Sequence, residues 1–589
     1  MQLMPDVARK DSDQAGTSIR LPVGSEGYGL GVTTLPLDLA ALAGLPAIPA
    51  ETVTYGEVFT RQWVVETILD LADWRSDRDL AATRLVEPAC GPGAFLHVIA
   101  RRVSESCRKF DRPLAEAAGC VRALDLLPAH VAASRRVATE TLVAEGWGRA
   151  EVEPLVREWV NQGDYLLSLP DQADVDVVVG NPPYIRLEDL PDQRAKVYRS
   201  LWPTMVGRAD VYVGFIEAGL RSLRSGGALA FICADRWMRN QYGRALREMI
   251  AAGFAVETII SMHDVDAFEE PVSAYPAVVV LRRRRQASVM IAETTTSFES
   301  AAASDLASWV RSGDGAEAAG RGWEAARVSN WQADGRPWPA VPPAVVAALT
   351  DLNQRFPALG DPESGVRVGI GVATGADQVF ITQDRALVED DRLLPLAMAR
   401  DTTTGSFVWS GHYLVNPWAV DGQLVSLPEH PRLGRYLRGH AEALGSRHVG
   451  RRQPTRWYRT IDKVDHTLVD RPKLLFPDLK ATSHPVLEPG GHYPHHNLYW
   501  IISDSWDLEV LGGLLLSAIA ETFVGAYCVR MRGGTLRFQA QYLRLIRIPS
   551  VEQVAPEVAD ALRDAFRRRD RRGATTAAMS AYGLVSWPR

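Results

Sequence analysis

The stretch VVVGNPPYIR, residues 177–186, is a hydrophobic run that stops in Asn181-Pro182-Pro183-Tyr184. Neither proline can donate a ladder hydrogen bond, and each restricts the residue before it, so a strand has to end there. What remains is a stiff corner carrying an amide and an aromatic ring. Upstream, LVEPACGPGAFL (85–96) reads as a strand leading into Gly91-Pro92-Gly93 and then a helical run. Glycines at such a turn let the backbone approach a ligand, and the helix N-terminus behind them offers free amides. An acid, Glu87, precedes the glycines. Neither GxGxxG nor a Walker lysine is present, which disfavours dinucleotides and nucleoside triphosphates. The next apolar run, CVRALDLLP, ends in Asp125, a carboxylate at a strand tip that suits the two hydroxyls of a ribose. In NQGDYLL, Asp164 can accept from an adenine amino group while Tyr165 packs on the ring. Singly, each feature also fits an ordinary turn. Their order over about 100 residues points to a ligand that carries a nucleoside.

These residues need a scaffold that brings them to one edge. From 51 to about 290, the apolar runs TRLVEPA, CVRALDL, DVDVVVG, ALAFICA and AYPAVVVL alternate with amphipathic helical stretches. The alternation predicts an α/β fold with a mostly parallel sheet and helices on both faces, and ligands in such folds sit at the carboxyl ends of the strands. Every motif above falls at such an end. The chain, at 589 residues, should divide into two or three domains. We read residues 1–50 as an arm, 51–290 as the motif-bearing domain, 291–344 as a connection or small subdomain, 345–550 as a second globular unit, and 551–589 as a helical tail.

Bulk properties set the remaining bounds. A net charge of −6 gives no global sign of nucleic-acid binding, although a local basic face is compatible with it. The N-terminus has no apolar signal core, and LGGLLLSAIAETF, interrupted by Glu521, falls short of the roughly 20 residues that span a bilayer. Five cysteines form no CxxC pair, which argues against a disulfide framework or a metal site and fits a reducing cytoplasm.

EPACGPGAFL, ALDLLP, GDYLL and GNPPYIR together resemble the consecutive motifs of S-adenosylmethionine-dependent amino-methyltransferases. The resemblance is to the TaqI-like, gamma-class adenine-specific DNA methyltransferases of type II restriction–modification systems. That family carries a further motif, G-x-x-F-T-P, matched by YGEVFTRQWVV through Gly56, Phe59 and Thr60, with Arg61 where the family has proline. The segments 207–250 and DAFEEPVSAYPAVVVLRR resemble its middle and closing motifs, so the likeness spans about 55–285. It implies a Rossmann-like methyltransferase sheet with S-adenosylmethionine as cofactor. Thr60, Glu87, Ala89, Gly91 and Gly93 then serve the cofactor, its methionine end lying at Thr60 and the glycine turn. Asp125 serves its ribose, and Asp164 and Tyr165 its adenine.

The chemistry implied for the corner is specific. An adenine amino group is a poor nucleophile because its lone pair is delocalised into the ring, and two acceptors aimed at its hydrogens favour the geometry of attack. The side-chain oxygen of Asn181 and the carbonyl of Pro182 are those acceptors, Pro183 stiffens the corner, and Tyr184 stacks on the base. The base must be extruded from the duplex to reach them, with Phe268 as the second slab of the stack.

GVRVGIGVATGADQVFIT (365–382) and RMRGGTLRFQAQYLRLIRIPS resemble the opening and end of the same family's target-recognition domain, here a C-terminal mixed α/β unit. Between them, residues 431–480 hold 12 Lys or Arg against 5 Asp or Glu. GRRQPTRWYRT interleaves Arg451, Arg452, Arg456 and Arg459 with Trp457 and Tyr458. Arginines suit phosphates and guanine edges, so these residues are the expected DNA contacts, with affinity falling steeply with salt. The expected partners are double-stranded DNA with a specific short site and a restriction endonuclease on a separate chain, acted on by a cytoplasmic monomer with no metal and no membrane. The alternatives are a glutamine or RNA amino-methyltransferase, which leaves 345–550 and YGEVFT unexplained, and the methylating subunit of another anti-phage system. A fused nuclease is disfavoured because Pro477-Asp478-Leu479-Lys480 lacks a partner acid at suitable spacing, and a non-enzymatic DNA-binding subunit by the intact motifs.

Overall fold

The computed structural model describes residues 45–48, 58–168, 173–270, 275–329, 331, 335–339, 341–528 and 535–588. Gly56 and nearly all of the expected arm lie outside them. The chain forms two units, 1–343 and 344–589.

In the first unit, the apolar runs Leu85–Glu87, Val175–Gly180 and Pro276–Arg282 are buried almost throughout, and they form strands within a larger sheet. Its strands are β1 (Leu85–Glu87), β2 (Val121–Asp125), β3 (Val160–Gln162), β4 (Val175–Gly180), β5 (Leu223–Ala234), β6 (Ala255–Ser261), β7 (Pro276–Arg282), β8 (Val289–Thr294), β9 (Glu317–Gly320) and β10 (Trp323–Val328). They make one sheet in the order β3-β2-β1-β4-β5-β7-β6-β8-β10-β9. The first five of that order are parallel, and β7 runs antiparallel between β5 and β6. Strand order reverses between β1 and β4, so the loops after these two strands diverge and leave a crevice, the usual ligand site of open α/β sheets. The glycine turn follows β1 and the Asn181 corner follows β4.

The helices packed on this sheet begin and end as their sequences dictate. They include α1 (Gln62–Leu71), α2 (Ala94–Lys109), α3 (Pro128–Ala144), α4 (Arg149–Trp159), α5 (Asp192–Leu201) and α6 (Tyr212–Ser222). α2 starts at left-handed Gly93 and ends with Arg108 and Lys109, whose charge complements the helix C-terminus. Its buried face carries Leu96, Val98 and Ile99 at 0% exposure, where truncating Ile99 to alanine costs about 2–5 kcal/mol. Pro128 opens α3, where its missing N–H has no intrahelical acceptor to lose.

Residues 291–344, expected as a connection or small subdomain, take part in the sheet of the first unit. β8 pairs parallel with β6, and β10 and β9 add two antiparallel strands, so the segment extends the sheet to ten strands. The sequence hides this because β9 reads Glu-Ala-Ala-Gly and is largely exposed, without an alternating pattern.

The second unit is mixed α/β. One antiparallel sheet has the order Val366–Ile370, Leu498–Ser503, Lys473–Pro477, Val486–Glu488, and a second joins Ile381–Thr382, Tyr413–Val415, Leu393–Ala397 and Tyr493–Pro494. The tail does not stand apart: Pro556–Arg568 and Arg571–Tyr582 belong to this unit, and Leu562, Phe566, Ala574 and Ala578 are buried. The apolar stretch 508–527 is two helices, Leu508–Leu516 and Ala518–Tyr527, bent by 63° at Ser517; among the described residues no single helix is long and apolar enough to cross a membrane. All five cysteines are buried.

Candidate active site

The crevice between the β1 and β4 loops holds a groove of about 940 Å³, mouth included, lined by the glycine turn, Asp125, Asp164, Tyr165, Asn181, Pro182 and Pro183. Thr60, Glu87, Ala89 and Tyr198 also line it. Six separate stretches of sequence therefore meet at one edge.

Asn181 decides what one end of the groove can do. Its Nδ2 donates to the Val58 carbonyl at 2.8 Å and to Thr60 Oγ1 at 3.2 Å. A carbonyl can only accept, so the amide orientation is forced. Oδ1 is left buried with no hydrogen-bond partner. Among the described residues no donor reaches the neighbouring Pro182 carbonyl either. A buried unpartnered acceptor costs about 1–3 kcal/mol, which marks this corner as kept open for a donor. Tyr184 presents a half-buried ring while its hydroxyl is sequestered without a partner, and burial pushes its pKa well up. Its ring packs edge-on against Tyr212 at 6.2 Å.

The glycine turn is built around Asp125. Asp125 Oδ2 accepts from the Gly91 amide at 2.9 Å and Oδ1 from the Leu127 amide at 2.9 Å, while His130 Nδ1 lies 3.2 Å from Oδ1. The acid that should meet a ribose thus also pins the turn. Gly91 and Gly93 have φ of +51° and +106°. A Cβ on Gly93 would lie 3.2 Å from the Ser134 backbone, whereas one on Gly91 would meet open space. Glu87, 1% exposed, has one carboxylate oxygen without a partner. Burial, then the charge of Asp125, pushes its pKa well above the ordinary carboxylate range. Cys90 is buried and its thiol is likewise pushed up, so it fills space rather than attacks.

At the other end, Tyr165 packs against Phe215 at 5.4 Å. Asp164 accepts from Arg194, Tyr198 and the Leu166 amide, partners that short-range sequence reasoning does not reach. An orphaned acid and the open space that Gly91 leaves without a Cβ fit a nucleoside-bearing cation such as S-adenosylmethionine.

Phe268 departs from its expected place. Its backbone pairs with Thr60, but its ring is 3% exposed and belongs to the core of the unit. Stacking a base on it requires the segment to open.

The basic segment of the second unit divides in two. Arg459 donates to the carbonyls of Thr460 and Ile461 and to Gln453, and its guanidinium lies 5.4 Å from the Trp418 ring centre. Trp457 packs on the core and Arg456 reaches Gln423 at 3.2 Å. These three brace the loop. Arg451 and Arg452 are exposed. Asp478 of the Pro-Asp-Leu-Lys stretch is paired with Arg537.

A family model described as Eco57I restriction-modification methylase matches residues 155–268, from within α4 across Asn181 to Phe268. The chain is 42% identical over 534 residues to the type II methyltransferase M.PaeR7I of Pseudomonas aeruginosa, covering 90% of this chain and 92% of that one. It is 38% identical over 534 residues to M.XhoI of Xanthomonas vasicola, covering 90% and 97%. It is 36% identical over 519 residues to M.BstVI of Geobacillus stearothermophilus, covering 87% and 92%. Among solved structures, the type IIL restriction-modification enzyme MmeI in complex with DNA matches with a TM-score of 0.53 at 11% identity, covering 89% of this chain and 74% of that chain, a likeness of fold.

Proposed function

Because the chain belongs to the type II DNA methyltransferases of restriction–modification systems, we propose that it methylates the exocyclic amino nitrogen of an adenine extruded from duplex DNA. The observation that carries this reading is the unpartnered Asn181 Oδ1 beside the free Pro182 carbonyl. Two acceptors and no donor suit an –NH₂ group and reject a ring carbonyl.

S-adenosylmethionine, when bound, supplies a sulfonium methyl electrophilic enough for a neutral amine to attack. The chain's own residues do the rest. Asn181 Oδ1 and the Pro182 carbonyl each accept a hydrogen bond from one amino hydrogen and draw the nitrogen out of conjugation. Val58 and Thr60 hold the Asn181 amide so that its oxygen cannot swing away. Pro182 and Pro183 keep the two acceptors convergent, and Tyr184 offers its ring face to the purine. Asp125 would meet the cofactor ribose with its remaining lone pairs, Gly91 would give its methionine end room while Gly93 lets the turn pack on Ser134, and Glu87 would meet its positive charge. Thr60 and Ala89 line the same end, and Asp164 and Tyr165 would receive its purine. Phe268 would complete the base stack once its segment opens. Arg451 and Arg452 would contact phosphates of a specific short duplex site. Arg456, Trp457 and Arg459 would shape that loop from within. A separate endonuclease would cut the same site when unmethylated.

The test is to incubate the protein and methyl-labelled S-adenosylmethionine with duplex DNA, tRNA or protein substrate in separate reactions. Label is expected in DNA alone, recovered on hydrolysis as N6-methyladenine. Label in protein or tRNA, or recovered as a methylated cytosine, would overturn the reading.

A further inference from the structure

Asp164 lies just beyond β3 and lines the groove, as do Ile48, Tyr165, Leu190 and Tyr198. Its Oδ2 is held by two donors at once, the Arg194 guanidinium and the Tyr198 hydroxyl, each at 2.5 Å. Its Oδ1 accepts from the Leu166 amide at 3.0 Å. Both side-chain donors come from α5, four residues apart, and so share one helix face. Arg194 is 8% exposed and Tyr198 1%. Arg194 is anchored further by donating from Nε to the Pro46 carbonyl at 2.9 Å.

The arrangement fixes more than position. A carboxylate has about four lone-pair sites, and three are used here, so one remains for a ligand. A buried carboxyl left alone would take up a proton and could then donate as well as accept. Burial raises the Asp164 carboxyl above its ordinary range, and the Tyr198 hydroxyl and Arg194 guanidinium pull it back towards the ionised form, which can only accept. The difference matters for purines, because a 6-amino group donates where a 6-oxo group accepts.

We propose that Arg194 and Tyr198 are positioning residues that set ligand specificity: from α5 they hold Asp164 as a fixed acceptor, so the groove takes a 6-aminopurine and rejects its 6-oxo counterpart. The inference rests on reading the groove as the S-adenosylmethionine site, and it names what makes the purine end of that site selective.

Calorimetric titration of the full chain with S-adenosylhomocysteine and with its deaminated analogue, S-inosylhomocysteine, tests it. Wild type should prefer the adenosyl ligand by roughly 10²-fold or more, since a site built to pair a donor rejects the analogue lacking it. Tyr198→Phe, which keeps the ring, should lower that ratio about tenfold, the worth of one charge-assisted hydrogen bond. Arg194→Met should bring the ratio close to one, because the buried acid then protonates and accommodates the 6-oxo group. Melting curves report whether each variant is folded, and Tyr198→Phe carries the test should Arg194→Met fail to fold. A packing role alone would weaken both ligands in parallel, and an unchanged ratio in Tyr198→Phe overturns the proposal. Equal binding of both ligands by wild type overturns it too, with the cofactor site intact. Wild type that binds neither removes the cofactor reading and the inference with it.

Discussion

Glu488 in the second unit and Glu87 in the first are equally inaccessible, at 0% and 1% exposure, yet their surroundings are opposite. Glu488 accepts from the Lys473 ammonium at 2.5 Å, from the Gly490 amide at 2.9 Å and from His492 Nδ1 at 2.9 Å. Glu87 faces the groove with one oxygen unpartnered, and so does the amide oxygen of Asn181. Burying a carboxylate is expensive either way. In the second unit that expense is offset within the fold, and the result is a strand pair locked in register. In the first unit it is left outstanding, which destabilises the empty groove and favours whatever supplies the missing donor or positive charge.

Lys473→Met attacks the satisfied side of this comparison. It leaves a buried acid without its cation and should lower stability by about 3–5 kcal/mol, read from denaturant unfolding of the full chain. A loss below about 1 kcal/mol would mean that the pair is not what locks these strands.

On the unsatisfied side, Asn181→Ala should reduce the methyl-transfer rate by roughly 10²–10³-fold, as loss of a group aimed at a developing charge does. S-adenosylhomocysteine affinity should stay within about twofold, because the substitution leaves the glycine turn and Asp125 untouched. Equal losses in rate and affinity would make Asn181 a structural residue.

Glu87→Gln gives a smaller, pH-dependent effect. The raised pKa means that, above the ordinary carboxylate range, the folded protein keeps a proton that the unfolded chain releases, so stability falls as pH rises through that window. The amide variant should therefore melt higher than wild type at about pH 8 and no differently at about pH 4, while binding the cationic cofactor less tightly. A variant that melts lower at about pH 8 would show that the carboxylate is already partnered.

The smallest effects separate the arginines. Arg451→Ala and Arg452→Ala should each reduce the salt slope of DNA binding by about 1 without moving the melting temperature. Arg459→Ala should lower the melting temperature, because two carbonyls and Gln453 lose their donor. The reverse pattern would place Arg459 on the DNA and make Arg451 and Arg452 the braces.

The corner at 181–184, the glycine turn, the acids at 125 and 164 and the five apolar runs of the first sheet were all legible in the chain, because each rests on chemistry local in sequence. Two prolines end a strand wherever they stand, and a glycine turn after an apolar run opens a helix. The ten-strand extension was not legible, since β9 and β10 hold their places by pairing rather than by pattern. Nor could the sequence say which polar atoms stay open. Asn181 is oriented by a carbonyl 123 residues away, and Asp164 is held from a helix that begins beyond the corner. Phe268 turned inward for a similar reason: its backbone pairs with Thr60 and leaves its ring among core residues. The basic segment made the same point from the opposite direction, because a run of arginines reads alike whether its members brace a loop or face solvent. Sequence determined the kinds of groups and their order. Tertiary structure alone decided which of them are spent on one another, because hydrogen-bond partnership is settled by whatever distant chain the fold brings within about 3 Å.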